Sequence, residues 1–338
     1  MRAPDSGLTA FPDVPGDVRI LDLAWNAITE APAGLAALTA LEELRLDGNA
    51  LSALPDLSGL SALRALHLDG NRLTSLPACP PGLQTLFLYG NRLAELPERL
   101  PPALRHLAAG ANGLTAVPAA LWKLTGLESL NLAENALTEV PAAIGGLTRL
   151  RMLDLGHNRL TAIPPELGDL PLTDYLYLSD NGFTEVPAAL GRLDRLAYLN
   201  LTDNRLTRLP DTIGGMSALV ELRLYNNRLE SLPDAVGRLP RLRELHLQGN
   251  RLRFLPGLAG LRELRVLDLR GNHLRALPDA LPPRLTHLDL RANRLRELPA
   301  GLAGLTALEK LDLRWNKLDD PDPEVLRVLA GRGCVVLR

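Results

Sequence analysis

Apolar positions along the chain recur in an order that suits neither a helical stripe nor a long strand. Between Leu127 and Pro141 they fall at Leu127, Leu130, Leu132, Leu137 and Val140, with Asn135 between the second and third groups. The stretch opens with strand alternation and breaks at the asparagine. The same order returns at Leu150, Leu153, Leu155, Asn158, Leu160, Ile163 and Pro164, and the step from Asn135 to Asn158 is 23 residues. The pattern L-x-x-L-x-L-x-x-N-x-L carries fourteen such asparagines: Asn26, Asn49, Asn71, Asn91, Asn112, Asn135, Asn158, Asn181, Asn204, Asn227, Asn250, Asn272, Asn293 and Asn316. Each L-x-x-L-x-L part predicts a short strand with leucines inward and variable residues outward. The asparagine follows where the chain must turn, and its amide offers donors and acceptors to otherwise unpaired backbone groups. Gly48, Gly70, Gly90, Gly249 and Gly271 precede their asparagines and ease the turn.

Behind each strand, L-x-x-L-P leads to the far side. In 23-residue units the continuation reads like Pro141-Ala-Ala-Ile-Gly-Gly-Leu147, with room for a short helical turn. Three steps, Asn71 to Asn91, Asn91 to Asn112 and Asn272 to Asn293, are shorter and carry a Pro-Pro pair, which favours extended backbone. Leu8-Thr-Ala-Phe11-Pro12 matches the second half of a unit and predicts an N-terminal cap lacking its first half. At the other end Asp322, Pro323 and Gly331 suggest the cap, first turn and stop of a helix, and Cys334-Val-Val-Leu337 a last strand covering the exposed edge. Ala109 and Thr173 replace inward leucines, with Leu172 one residue out of register, and predict poorer packing there.

The period and motif together resemble the leucine-rich repeat family, from about Leu8 to Leu318. The resemblance implies an α/β solenoid, a horseshoe with a parallel sheet on the concave face and short helical, 3-10 or extended segments on the convex face. It implies one continuous domain: a half-repeat cap at 1–17, fourteen repeats over 18–320, and a helix–strand cap at 321–338. The Pro-Pro units look like repeats of bacterial type III effectors, and the longer ones like the LPxxIGxL repeats of small-GTPase-associated intracellular scaffolds.

Composition narrows the classes. Apolar residues are 46% of the chain but aromatics only 4%, so a largely leucine core is expected. A net charge of −2 does not advertise nucleic acid or an acidic membrane. Lysine occurs only at Lys123, Lys310 and Lys317, so the cationic surface is almost all arginine, as in GC-rich bacterial genomes. Cys79 and Cys334 lie at opposite ends of the array, the N-terminus shows no apolar signal core, and no long apolar run appears, which together suggest a cytoplasmic setting. The six histidines are scattered without ligand spacing, and nucleophile-elbow, P-loop and dinucleotide motifs are absent. No catalytic residue, cofactor or metal is assigned.

The outward positions are the third, fifth and seventh of each repeat. All five tyrosines stand there: Tyr89, Tyr175, Tyr177, Tyr198 and Tyr225, with Phe87 beside Tyr89 and Arg223 beside Tyr225. Tyrosine suits strands in general, but four from three consecutive repeats also predict one contact patch. A second group pairs Asp268, Asp289 and Asp312 at the fifth position with Arg270, Arg291 and Arg314 at the seventh. Three readings stand for it: a self-satisfied ion-pair lattice, a polar recognition stripe, or a cation site with His287 nearby. A third row, Arg72, Arg92, Arg159, Arg205, Arg228, Arg251, Arg294 and Lys317, follows the asparagines and suits stems laid over leucines with solvated heads. Glu95 and Glu297 are placed to neutralise Arg92 and Arg294. Trp25 and Trp315 share one position in the first and last repeats, as end caps or contacts.

The expected function is a monomeric, non-catalytic scaffold that holds a protein partner on its concave face, small GTPases and other signalling proteins being the class the resemblance implies, with neither nucleic acid nor membrane as partner. The alternative is the recognition region of a bacterial effector or signalling protein whose catalytic domain lies elsewhere.

Overall fold

The structure is a computed structural model that describes residues 1–320 and 323–338. It divides into two compact units, Met1–Arg159 and Leu160–Arg338. The first carries strands β1 (Ile20–Asp22), β2 (Glu43–Arg45), β3 (Ala65–His67), β4 (Thr85–Phe87), β5 (His106–Ala108), β6 (Ser129–Asn131) and β7 (Met152–Asp154). The second carries β8 (Tyr175–Tyr177), β9 (Tyr198–Asn200), β10 (Glu221–Arg223), β11 (Glu244–His246), β12 (Val266–Asp268), β13 (His287–Asp289), β14 (Lys310–Asp312), the helix α1 (Glu324–Gly331) and β15 (Val335–Leu337). Within each unit every strand pairs in parallel with the next, and equivalent repeat positions stand in register, as in Leu21 opposite Leu44 and Leu222 opposite Leu245. The middle residue of each of β1–β14 is a leucine buried to 1% exposure or less, so one face of the sheet is core and the other presents the variable positions.

The asparagines close each turn as a ladder. Asn227, 6% exposed, donates through Nδ2 to the carbonyls of Leu201 and Leu224 at 2.9 and 3.1 Å and accepts the Leu206 N–H at 3.0 Å. All fourteen accept a backbone N–H two places past the preceding rung; for Asn26 the donors are Leu8 and Ser6. The residue before every asparagine has a positive φ, whether glycine, as at Gly48, or Trp25, Glu134, His157, Asp203 or Trp315. The turn is therefore imposed by the ladder, and glycine lowers its cost without being required.

Repeat length decides the back. All eight 23-residue repeats carry a 3-10 turn: Ala33–Ala37, Leu121–Lys123 and Ala142–Gly146 in the first unit, and Pro165–Asp169, Ala188–Arg192, Asp211–Gly215, Asp234–Arg238 and Ala300–Gly304 in the second. The three Pro-Pro connectors form none, as expected. The 22-residue steps, Asn49 to Asn71 and Asn250 to Asn272, also form none, although they lack a Pro-Pro pair. Lost length suffices to remove the turn. Where the 3-10 turns stack, glycine is a packing residue: a Cβ on Gly191 would collide with the carbonyl oxygen of Thr212.

Three end details differ from expectation. Residues 1–3 supply the missing first half of the N-terminal cap: Arg2 bridges Asp22 in parallel, and the Ala3 and Asp5 N–H groups donate to Asp22 and Ala24. Pro323 stands before helix α1 at its N-cap, not in its first turn, and Asp322 lies outside the described residues. Gly331 remains helical, and Gly333, with φ +91°, makes the reversal into β15. Ala109 is fully buried, and Leu172, one residue early, is buried beside half-exposed Thr173.

Candidate functional site

On the open face of the second unit, strand register builds two columns. Tyr175, Tyr198, Glu221, Glu244 and Val266 stand at the third position; Tyr177, Asn200, Arg223, His246, Asp268, Asp289 and Asp312 stand at the fifth. Three of the predicted tyrosines meet here. Tyr175 and Tyr177 stack with centroids 4.5 Å apart, and Tyr177 meets Tyr198 edge-on at 5.1 Å. Arg223 lays its guanidinium over the Tyr198 ring at 5.3 Å while its Nε donates to Glu221 at 2.5 Å. Burial, with the Glu221 charge, lifts the Tyr198 phenol well above its ordinary value, so the ring is a neutral hydroxyl at any physiological pH. Tyr225 stands on the same face, and among the described residues no ring contact joins it to the other three.

Phe87 and Tyr89 belong to the first unit. Phe87 meets His67 edge-on at 5.1 Å. Tyr89 crosses Gly110, where a Cβ would touch its ring, and donates its hydroxyl to Glu134 Oε1 at 2.6 Å. That bond, more than burial, pushes its phenol up to about 12.

The aspartate–arginine rows form a lattice of their own. Arg291 contacts Asp289 at 2.5 Å and Asp312 at 3.3 Å; Arg314 holds Asp312 at 2.7 Å and Arg270 reaches Asp268 at 3.8 Å. Each aspartate also accepts the backbone N–H two residues on, from Arg270, Arg291 and Arg314. Asp312 is only 2% exposed. Burial alone would raise its carboxyl, but the Arg314 hydrogen bonds and the Arg291 and Arg314 charges bring it below its usual value. Asp268, with a weaker partner, is raised by burial. His287 hydrogen-bonds Thr286, its neighbour, at 3.0 Å.

At the edge beyond the asparagines, Arg275, Arg294, Arg296, Trp315 and Lys317 line an open cleft of about 600 Å³, and Arg253, His273, Arg275 and Arg294 line another beside it. Among the described residues neither Glu95 nor Glu297 forms an ion pair with Arg92 or Arg294; the acid that reaches this edge is Asp319, 3.9 Å from Arg296. Trp25 and Trp315 are 67% and 70% exposed; Trp25 lies over Gly48, and Trp315 beneath Arg314 at 5.6 Å. Both cysteines are free thiols, and burial pushes Cys79 up to about 12 and raises Cys334. Among the described residues no helix is long and apolar enough to cross a membrane.

Family models agree with the repeat geometry. The model described as "Leucine rich repeat" matches residues 17–73, 102–160 and 262–318, together more than half of the chain, and that described as "Leucine-rich repeat region" matches 139–251 and 162–276. The chain belongs to the leucine-rich repeat family. Among solved leucine-rich repeat structures it is similar to LIC12759 of Leptospira interrogans, with 30% identity, a TM-score of 0.88, and coverage of 99% of this chain and 94% of that one. The functional domain of InlJ from Listeria monocytogenes follows at 25% identity and TM-score 0.71, over 87% of this chain and 67% of that one. YopM from Yersinia enterocolitica matches at 26% and 0.60, over 91% and 71%. No curated protein matches. As a leucine-rich repeat protein the chain is built as a protein-interaction repeat domain. What its sequence alone did not reveal is the second use of fifth-position Asp and Asn: Asp22, Asn131, Asp154, Asn200, Asp268, Asp289 and Asp312 all accept the N–H two residues on. Their recurrence at one repeat position was the available signal.

Proposed function

We propose that this leucine-rich repeat protein is a non-catalytic scaffold that grips a protein partner on the open sheet face of its second unit. The observation that carries the reading is the continuous surface made by Tyr175, Tyr177, Tyr198 and Arg223 across three adjacent strands. Stacked phenols and a held guanidinium offer wide, rigid contact with polar tips, and their side-chain entropy is already restricted before a partner arrives. Tyr225 extends the surface toward the Asp268–Arg314 lattice, whose charges are largely satisfied and would set orientation more than affinity. The unactivated thiols support a binding role over a thiol enzyme, and two free cysteines fit a reducing, cytoplasmic setting.

The test is the double variant Tyr177→Ala, Tyr198→Ala. Partner capture from lysate, identified by mass spectrometry, should be lost while the melting curve is nearly unchanged. Equal capture by the variant would reject this face.

A further inference from the structure

One cluster on this face joins Glu221, which holds Arg223, to two groups that the tyrosine surface does not use. Glu221, Glu244 and His246, all half-buried, bring one ligand atom each within 4.8 Å of one another. His246 Nε2 lies 3.1 Å from Glu244 Oε2 and 3.7 Å from Glu221 Oε1. A tetrahedral ion with bonds of about 2.0–2.2 Å holds its ligand atoms roughly 3.3 Å apart, between those two separations. We propose that Glu221, Glu244 and His246 bind a divalent transition ion of the zinc class.

The chain supplies its own comparison. Strands β2 and β3 repeat the arrangement with Glu43, Arg45 and His67 in register: Arg45 holds Glu43 at 2.6 Å, and His67 Nε2 stands 3.7 Å from Glu43 Oε1, the same separation as His246 from Glu221. The partner of Glu43 at the third position is Ala65, whereas the partner of Glu221 is Glu244. An imidazole near one carboxylate is an ordinary ion pair. Adding Glu244 turns it into a three-ligand set of mixed nitrogen and oxygen, which suits zinc or cobalt better than a hard cation.

The surroundings are compatible. Arg223 engages Glu221 through Oε1, and among the described residues no hydrogen bond involves Glu221 Oε2 or Glu244 Oε1. The oxygens nearest His246 are Glu244 Oε2 and Glu221 Oε1, and Arg223 holds the latter, so an ion is taken up by sharing Glu221 Oε1 with the guanidinium or by turning that carboxylate to present Oε2. Two residues past His246 on the same face, the Gln248 Oε1 atom is buried and has no hydrogen-bond partner among the described residues. Three protein ligands leave a coordination position for water, and such a water is a donor of the kind Gln248 lacks.

Titration of the tag-free full chain with Zn²⁺ by calorimetry, and with Co²⁺ by visible absorption, decides the matter. One ion per chain is expected, with the intense d–d bands of low-coordinate cobalt. Glu244→Gln, which keeps the side chain's size, and His246→Ala should each weaken binding by roughly a hundredfold or more, beyond the usual cost of an outer-shell change. His67→Ala should bind as the parent does, with circular dichroism reporting the fold of each variant. Absence of saturable binding, binding that survives Glu244→Gln, or loss in His67→Ala would overturn the proposal.

Discussion

Asp69 shows what a position on the sheet face can cost. It stands at the seventh position of its repeat, beside Asp47, and accepts the Tyr89 N–H at 2.7 Å. Burial carries its carboxyl up to about 6, with the Asp47 charge adding to the rise and the Tyr89 bond opposing it. A carboxyl raised in the folded state holds its proton more tightly there than in the unfolded chain. The folded state therefore loses ground as pH climbs from about 4 to about 6 and levels above that. Asp69→Asn keeps an acceptor for the Tyr89 N–H and removes the charge. Its melting temperature should exceed the parent's at pH 7, with the gap closing by pH 4; calorimetry at the two pH values checks this. The residue scale is also where sequence reading was least complete. The tyrosines were visible as outward residues, but that Tyr175, Tyr177 and Tyr198 touch while Tyr225 does not depends on ring orientation. Likewise Tyr89 reaches Glu134 because Gly110 leaves room for the ring, a relation between side chains 45 residues apart.

Among the elements, helix α1 and strand β15 have the clearest task. Strand β15 pairs with β14 in parallel, and the Leu313 N–H donates to Leu337 while Val335 donates to Glu309. Val325, Leu326 and Leu329 of the helix are buried. Deleting residues 324–338 would leave β14 with a bare row of backbone donors and acceptors beside an uncovered leucine core. Such an edge invites pairing with another chain. The truncated protein is expected to show concentration-dependent association by light scattering, where the full chain keeps a constant mass. Strands and turns were legible because their leucines and asparagines recur with fixed spacing. The 3-10 turns were legible only in part: Pro-Pro pairs foretold their absence in three connectors, but a single missing residue removes them in two more. Proline chemistry is a local signal, whereas room for a turn depends on what the neighbouring coils require.

For the whole chain, repeat by repeat, stability is a matter of nearest neighbours. Asn227→Ala would remove the donor to three carbonyls, those of Leu201, Leu224 and Tyr225, and leave the buried Leu206 N–H unpaired, costing about 3 kcal/mol. In a globular domain that loss would be shared by every element. Here hydrogen exchange should quicken most in peptides spanning β9, β10 and β11 and fade toward β14 and β15; uniform acceleration through Leu160–Arg338 would contradict nearest-neighbour control. The family and the parallel stacking were readable at this scale because fourteen copies of one motif average away local exceptions such as Ala109 and Thr173. The partner was not, because it depends on the few outward positions that the motif leaves free to vary.

The coupling of repeat length to the 3-10 turn bears on how such a gene can change. Steps of 20 to 23 residues all deliver the next strand in register, and the difference is absorbed behind the leucines. Small insertions and deletions in the rear connectors are therefore nearly silent at the front, while point substitutions at the front leave the rear untouched. Recognition and architecture occupy separate codons, and each can drift while selection holds the other still.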